Sequence, residues 1–245
     1  MPRKKSSDSL ADICLKNIAK NMDSYWLSDL DSDFGENPYL MYIVGPFEHL
    51  TEWQIQKLIY TLSSLKLLKR RHLQILISGI LKSLDLSKSI IAANNGLILK
   101  SVAFRCQRLT SLNIRGCNYI TPNVIAESIR NLPLLKHLQL SRTKTNDMVL
   151  SVIGDYCSFL LSLDISGCVV SNKGADNLCQ TYSKDGPKCL SLQKLNIQAT
   201  HITIKGAVAI IQTFRDLRLF DFIDSFEAMI SVVKDNISVD DMIQT

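Results

Sequence analysis

Seven cysteines and four histidines are the residues of this sequence that could hold a zinc ion or act as nucleophiles. A structural zinc site asks for closely paired Cys or His ligands, and no CxxC pair is present. Hydrolytic and phosphoryl-transfer chemistry would leave a GxSxG elbow, an HExxH helix or a glycine-rich phosphate loop. The sequence has none of these. Of His49, His72, His137 and His201, only His137 is predicted to face outward from a strand, with no Cys or acid placed to act with it. The chain is therefore predicted not to be an enzyme and to hold no metal and no cofactor.

Composition narrows the remaining classes. Hydrophobic residues make up 46% and charged residues 21% of 245, enough apolar side chain for a sizeable core. The net charge of +5 is mild, and basic residues are scattered apart from "RKK" at Arg3 to Lys5 and "KLLKRRH" at Lys66 to His72. Nucleic-acid binding wants a denser basic stripe with interleaved aromatics, so no nucleic-acid partner is predicted. The longest apolar run, "LQILISGIL" at Leu73 to Leu81, has nine residues, against the roughly 20 of a membrane helix. No apolar run follows the N-terminal basic residues closely, so no signal peptide or membrane association is predicted. An odd number of unpaired cysteines predicts a reducing compartment, cytoplasmic or nuclear.

The elements that position all of these residues repeat. A Leu-x-Leu-like motif followed by a small residue occurs as "LDLSKS" at Leu84, "LNIRGC" at Leu112, "LQLSRT" at Leu138 and "LDISGC" at Leu163. It returns as "LNIQAT" at Leu195 and, decayed, as "FDFIDS" at Phe220. Successive starts lie 28, 26, 25, 32 and 25 residues apart, the long step carrying a polar loop, "SKDGPK" at Ser183 to Lys188. Each unit reads as a short strand, a turn and a helix, with the motif's two apolar residues facing the core. Thr121 is predicted to cap one such helix, with Pro122 at its first position. A single unit cannot cover its own apolar face, so the units must stack.

The cysteines fall on repeat positions. Cys117 and Cys168 close the strand motif where Thr143, Thr200, Ser89 and Ser225 stand in sibling units, within reach of backbone groups at the turn. Cys106, Cys157 and Cys189 lie six residues before a motif, where another unit has Leu132, and read with Cys179 as small buried hydrophobes. "CQRLTSLNIRGC" at Cys106 to Cys117 and "CSFLLSLDISGC" at Cys157 to Cys168 resemble the cysteine-containing leucine-rich repeat, over roughly Leu81 to Phe226. The resemblance implies a curved α/β solenoid of about six units with strands on the concave side, in a family that binds proteins more often than it catalyses.

"SLADICLKNIAKNM" at Ser9 to Met22 reads as a helix opened by a Ser9–Asp12 cap. At 100° per residue, Leu10, Cys14 and Ile18 span about 80°, and Leu15, Ala19, Met22 and Trp26 carry the apolar surface to about 180°. Ile13 stands apolar among polar residues. A surface helix needs a stripe of roughly 100°, so this one has surface for two partners. Ser9-Leu10-x-x-x-Cys14-x-x-x-Ile18 resembles the Elongin-binding box of the von Hippel–Lindau and zyg-eleven-related families, and the helix is similar to the N-terminal helix of antagonist-of-mitotic-exit-network-type repeat proteins. That resemblance implies adaptor contacts at Leu10, Ile13, Cys14 and Ile18, with Leu10 in a pocket of Elongin C. The alternative is a helix that only closes the open end of the stack.

"DLDSDFGENP" at Asp29 to Pro38 reads as a loop, and "GPFEHLTEWQIQKLIYTL" at Gly45 to Leu62 as a helix capped by Thr51, with Trp53, Ile55, Leu58, Ile59 and Leu62 at helical spacing. In Elongin-dependent receptors a cullin-contacting box stands here. Pro46 and Leu50 are its candidates, although Gly45 replaces the aliphatic residue before the proline and Leu50 falls one place late. The segment also resembles, loosely, an F-box that binds a Skp adaptor, without its Leu-Pro opening. A plain helix covering the first repeat is the third reading.

The outward strand row runs Asp85, Asn113, Gln139, Asp164, Asn196, Asp221, flanked by Ser83, Ser111, His137, Ser162, Lys194 and Leu219, and by Ser87, Arg115, Ser141, Ser166, Gln198 and Ile223. Asp85, Asn113, Arg115, His137, Gln139, Asp164, Lys194 and Asn196 are the candidates for holding a protein substrate. The sequence thus predicts a helical adaptor-binding region at 1–72, repeats at 73–226 and a capping helix at 227–245, the last from the spacing of Phe226, Met229, Ile230 and Val233. The expected role is that of a substrate receptor of a cullin–RING ubiquitin ligase, with Elongin B/C and a cullin as partners. An F-box receptor or a scaffold without a ligase are the alternatives.

Overall fold

The computed structural model describes residues 9–27, 47, 49–87, 96–179, 189 and 191–222. The predicted loops at 29–38 and 183–188, Pro46, Ser89, Ile223, Ser225 and the predicted C-terminal helix lie outside the described residues. The described chain opens with α1 (Leu10–Tyr25), α2 (Glu52–Ser64) and α3 (Arg70–Leu76). Strands and helices then alternate: β1 (Ser83–Asp85), α4 (Gly96–Arg105), β2 (Ser111–Asn113), α5 (Pro122–Arg130), β3 (His137–Gln139) and α6 (Asp147–Tyr156). After them come β4 (Ser162–Asp164), α7 (Asn172–Cys179), β5 (Lys194–Asn196), α8 (Ile204–Thr213) and β6 (Leu219–Asp221). The six strands form one parallel sheet in sequence order, with Leu84, Leu112, Leu138, Leu163, Leu195 and Phe220 in register. α3 straddles the boundary read at residue 72 and serves as the helical half before β1.

The stack is held by a backbone relay. The first two amides of each unit donate to one carbonyl of the unit before: Thr110 and Ser111 to Lys82, Lys136 and His137 to Thr110, Leu161 and Ser162 to Lys136. Gln193 and Lys194 then donate to Leu161, and Arg218 and Leu219 to Gln193. A buried amide without an acceptor is costly, so the relay fixes register wherever the leucines set the faces. Beyond β2, β3, β4 and β5 the chain turns through a left-handed residue. Gly116 (φ 78°) and Gly167 (φ 66°) take it without a Cβ penalty, whereas Arg142 (φ 56°) and Ala199 (φ 52°) hold the same place under strain.

At Thr143, Cys168 and Thr200 the small residue after that turn is bonded inward, as its type predicts. Thr143 and Thr200 donate from Oγ1 to the carbonyls of Leu140 and Ile197 at 2.7 Å, and Cys168 Sγ reaches the Leu140 carbonyl at 3.1 Å. Cys106, Cys157 and Cys189 are fully buried, and burial pushes each thiol up to about 12. Thr121 precedes α5 in extended geometry with Pro122 behind it, but its side chain makes no capping bond. On the helical side Asp147 reaches the next unit, accepting from Ser171 N at 2.8 Å and Ser171 Oγ at 2.7 Å. A methyl group at Gly174 would overlap that carboxylate.

The first unit has no predecessor, and α2 supplies what is missing. Glu52 Oε1 accepts from Lys82 N at 2.8 Å and Ser83 N at 3.1 Å, the pair of amides that in every later unit meets a backbone carbonyl. Gln56 Nε2 donates to the Ser83 carbonyl at 3.2 Å. A carboxylate oxygen thus stands in for the carbonyl of an absent unit and closes the sheet edge. Hydrogen bonds to a charged acceptor contribute about 1.5–3 kcal/mol. Glu52→Ala is expected to lower unfolding free energy by about that amount, and Glu52→Gln, which keeps an oxygen in place, by distinctly less. Chemical denaturation of the three proteins measures this, and an alanine variant as stable as the parent would contradict it.

Candidate functional site

α1 begins at a reciprocal cap: Asp12 N donates to Ser9 Oγ at 3.2 Å, and Ser9 N to Asp12 Oδ2 at 3.4 Å. It buries Leu15, Ala19 and Met22 in the core that α2 supplies with Ile55, Leu58, Ile59 and Leu62. Polar contacts at its two ends set its rotation. Near its start, Lys57 Nζ lies 3.0 Å from Asp12 Oδ1. Near its end, Asp23 meets Lys69 Nζ at 2.7 Å, Arg71 Nη2 at 3.0 Å and His72 Nε2 at 2.8 Å. Pinned this way, the helix turns its other stripe outward. Leu10 is 78% and Ile13 53% exposed, and Cys14 is exposed as a free thiol. Ile18 lies at the margin, half-buried against the core.

One stripe of this helix packs on α2, and the other has no partner within the described chain. Leu50 is half-buried against the core. Trp53 departs from the helical spacing that placed it with Ile55 and Leu58, since its neighbours are buried and it is exposed. The reason is geometric: a 13-residue helix with one buried stripe leaves the residue two places before Ile55 on the opposite side.

His72 is the polar hinge of this packing. The Lys69 backbone N–H donates to His72 Nδ1 at 3.0 Å, so Nε2 carries the proton and donates to Asp23 Oδ1 at 2.8 Å. Burial holds the imidazole below its usual 6.5 against the pull of Asp23, and the charges of Arg71 and Lys69 act in the same direction as burial. Burial works to raise Asp23, but the bonds from Lys69 and His72 and the charge of Arg71 outweigh it and hold the carboxyl below 3.8.

On the strand face, much of the outward row is already engaged. Asp85 Oδ1 accepts from Ser87 N at 2.9 Å and Ser87 Oγ at 2.6 Å, and Asp164 Oδ1 from Ser166 N at 3.0 Å and Ser166 Oγ at 2.7 Å. Asn113 and Asn196 make the same turn with the amides of Arg115 and Gln198, each at 3.0 Å. These are Asx-turns that shape the bend after each strand. Asp-x-Ser in two units is the local sequence signal for them. His137, Gln139, Arg115 and Lys194 are exposed on this face. Ser141, read as outward, is buried, and its hydroxyl lacks a hydrogen-bond partner among the described residues. Asp221 is half-buried. The strand face and the α1 face do not share residues, so the molecule offers two separate surfaces.

Among the described residues no three His, Cys, Asp or Glu gather to hold a metal, and no described helix is long and apolar enough to cross a membrane. Sequence reasoning missed Glu52 and the Asp23–His72 pair, whose partners lie 30 and 49 residues away.

Comparison with known proteins agrees with this architecture. Residues 156–179 match the family model described as leucine-rich repeat, so the fold is of leucine-rich-repeat type, with a parallel sheet and an outer row of helices. The chain is 31% identical over 113 residues, 46% of its length, to F-box/LRR-repeat protein 4 of Bos taurus, and spans 17% of that protein. It is also similar to an internalin from Listeria monocytogenes, with TM-score 0.39 and 22% identity over 60% of this chain and 36% of that one. The structure titled Rad7 and Elc1 complex in yeast aligns with TM-score 0.38 and 16% identity over 91% of this chain and 70% of that one. Both structural scores are too low to carry more than the resemblance itself.

Because the folded state holds His72 neutral, the unfolded chain takes up the proton first as pH falls below 6.5. Stability should therefore be level in this respect above about pH 7 and decline from about 6.5 downward, until the folded imidazole itself protonates. His72→Gln, which can still accept from Lys69 and donate to Asp23, should flatten the decline between pH 6.5 and 5.5. Thermal melts across that window test this, and equal slopes in parent and variant would contradict it.

Proposed function

We propose that this chain is the substrate receptor of a cullin–RING ubiquitin ligase: it docks on the Elongin B/C adaptor through α1 and holds a target protein on the strand face. The observation that carries the reading is the second apolar stripe of α1, with Leu10, Ile13 and Cys14 exposed on a helix whose opposite stripe is buried and ion-paired in place. Exposed leucine and isoleucine on a pinned helix match the helix-in-groove mode of recognition, in which anchors at i, i+3 and i+4 enter a partner's cleft. In this reading Ile18 packs at the edge of the contact, and Leu50 and Pro46 are the candidates for a cullin contact.

The chain does no bond chemistry of its own; it brings a target close to the recruited enzyme. Asp85, Asn113, Asp164 and Asn196 shape the strand face by their turns, while His137, Gln139, Arg115 and Lys194 supply its contacts. Five buried cysteines (Cys106, Cys117, Cys157, Cys168 and Cys189) suit the reducing cytoplasm or nucleus. The bovine relative's name pairs leucine-rich repeats with an F-box, and this favours a second reading in which the helices before β1 bind a Skp adaptor instead.

Which adaptor co-purifies separates the two. Burial of a leucine contributes about 1.5–3 kcal/mol, so Leu10→Ala with Cys14→Ala is expected to weaken Elongin B/C binding about 10- to 100-fold or more. Both side chains are exposed, so the melting temperature should stay within about 2 °C of the parent. Unchanged capture of Elongin B/C with a lowered melting temperature would reduce α1 to a structural cap, and capture of the Skp adaptor alone would favour the second reading.

A further inference from the structure

Glu52 and Gln56 close the free edge of β1 at Ser83, whose amide and carbonyl they bind, and leave it open one step further on. In a parallel ladder the residues of a strand turn alternately to one neighbour and to the other. The third residue of each later strand turns back to the unit before it. The carbonyls of Asn113, Gln139, Asp164, Asn196 and Asp221 accept the amides of Leu86, Ile114, Leu140, Ile165 and Ile197 at 2.7–3.0 Å. Asp85 holds this place in β1. Its carbonyl and amide therefore point away from β2, and no bond to either is formed among the described residues. Beside Asp85 a cavity of about 190 Å³ separates α2 from the strand, lined by the buried Ile59 and Leu84 and by Tyr60 and Ser63. An apolar cavity of roughly 150 Å³ already takes a benzene molecule, so this one has room for a leucine side chain.

We infer that the edge of β1 at Asp85 docks an extended peptide segment of a partner protein, which adds to the sheet as a parallel strand. One peptide residue gives its carbonyl to the Asp85 N–H and its aliphatic side chain to the cavity beside Leu84. The residue two places on gives its amide to the Asp85 carbonyl, as Leu86 does to Asn113. The occupant is a peptide because the open groups are those of a ladder: a donor and an acceptor on one residue, with an apolar hole in register beside them. The site lies at the margin of the strand face, and it is independent of which adaptor α1 receives.

The test uses the full chain, isotopically labelled on nitrogen, and a probe peptide with the sequence of Thr110 to Gly116, acetyl-Thr-Ser-Leu-Asn-Ile-Arg-Gly-amide. Within the fold that segment offers β3 the same pattern, its isoleucine amide lying 3.0 Å from the Gln139 carbonyl. Titration should shift the Asp85 amide resonance with a Kd of about 1 mM or tighter, and should slow the hydrogen exchange of that amide. Methylating the isoleucine nitrogen of the peptide should weaken binding about 10-fold or more, a loss that owes nothing to the folding of the chain. Ser63→Leu, which fills the cavity, should weaken binding by a similar factor. An Asp85 resonance unmoved by the peptide, or equal binding of the methylated peptide, would overturn the inference. An Asp85 amide already slow to exchange in the dilute free chain would assign the edge to another segment of the chain itself. Protection that grows with protein concentration alone would assign it to a second copy, and either result overturns the inference as well.

Discussion

Each unit of this protein needs one carbonyl from the unit before it, and the structure follows from how that need is met at the first strand. Two amides at the start of every strand converge on a single oxygen. Stacking satisfies this for β2 to β6 without any help from side chains. At β1 the oxygen has to come from elsewhere, and Glu52 brings it. That requirement fixes α2 against the sheet edge, which in turn offers Ile55, Leu58, Ile59 and Leu62 as the floor on which α1 lies.

From there α1 gains a definite orientation. Apolar packing of Leu15, Ala19 and Met22 would tolerate some rotation, because apolar contacts are not directional. The ion pairs and the hydrogen bond from His72 are less tolerant. Asp12 with Lys57 and Asp23 with Lys69, Arg71 and His72 pin both ends. Surface ion pairs add little to stability on their own, so their consequence here is geometric: they keep Leu10, Ile13 and Cys14 turned outward. The partly buried Asp23–His72 contact ties that orientation to the protonation state of one imidazole.

The sequence carried the periodic parts of this account and not the solitary ones. Leu84, Leu112, Leu138, Leu163 and Leu195 recur at near-constant spacing, and the strands pair at those residues. Cys106 and Cys157 were legible as core because Leu132 fills their place in another unit. The two stripes of α1 were legible because helical geometry is local. Glu52 and the Asp23–His72 pair were not, since each depends on tertiary proximity across 30 or more residues and occurs once. Trp53 was misplaced because apolar spacing alone does not say on which side a helix stops being buried. The Asx-turns at Asp85 and Asp164 were local and still passed over, because an outward acid reads first as a binding residue and only then as a turn former.

The molecule presents two surfaces: a strand face shaped by turn-forming Asp and Asn side chains, and a helical end whose apolar stripe is held outward. The function proposed above assigns the adaptor to the helical end and not to the strand face. Amide hydrogen exchange of the whole chain with and without saturating Elongin B/C measures this directly. The account predicts added protection over Leu10 to Ile18, with the strand segments from Ser83 to Asp221 unchanged. Protection confined to the strands, or none in α1 while the complex is formed, would contradict it.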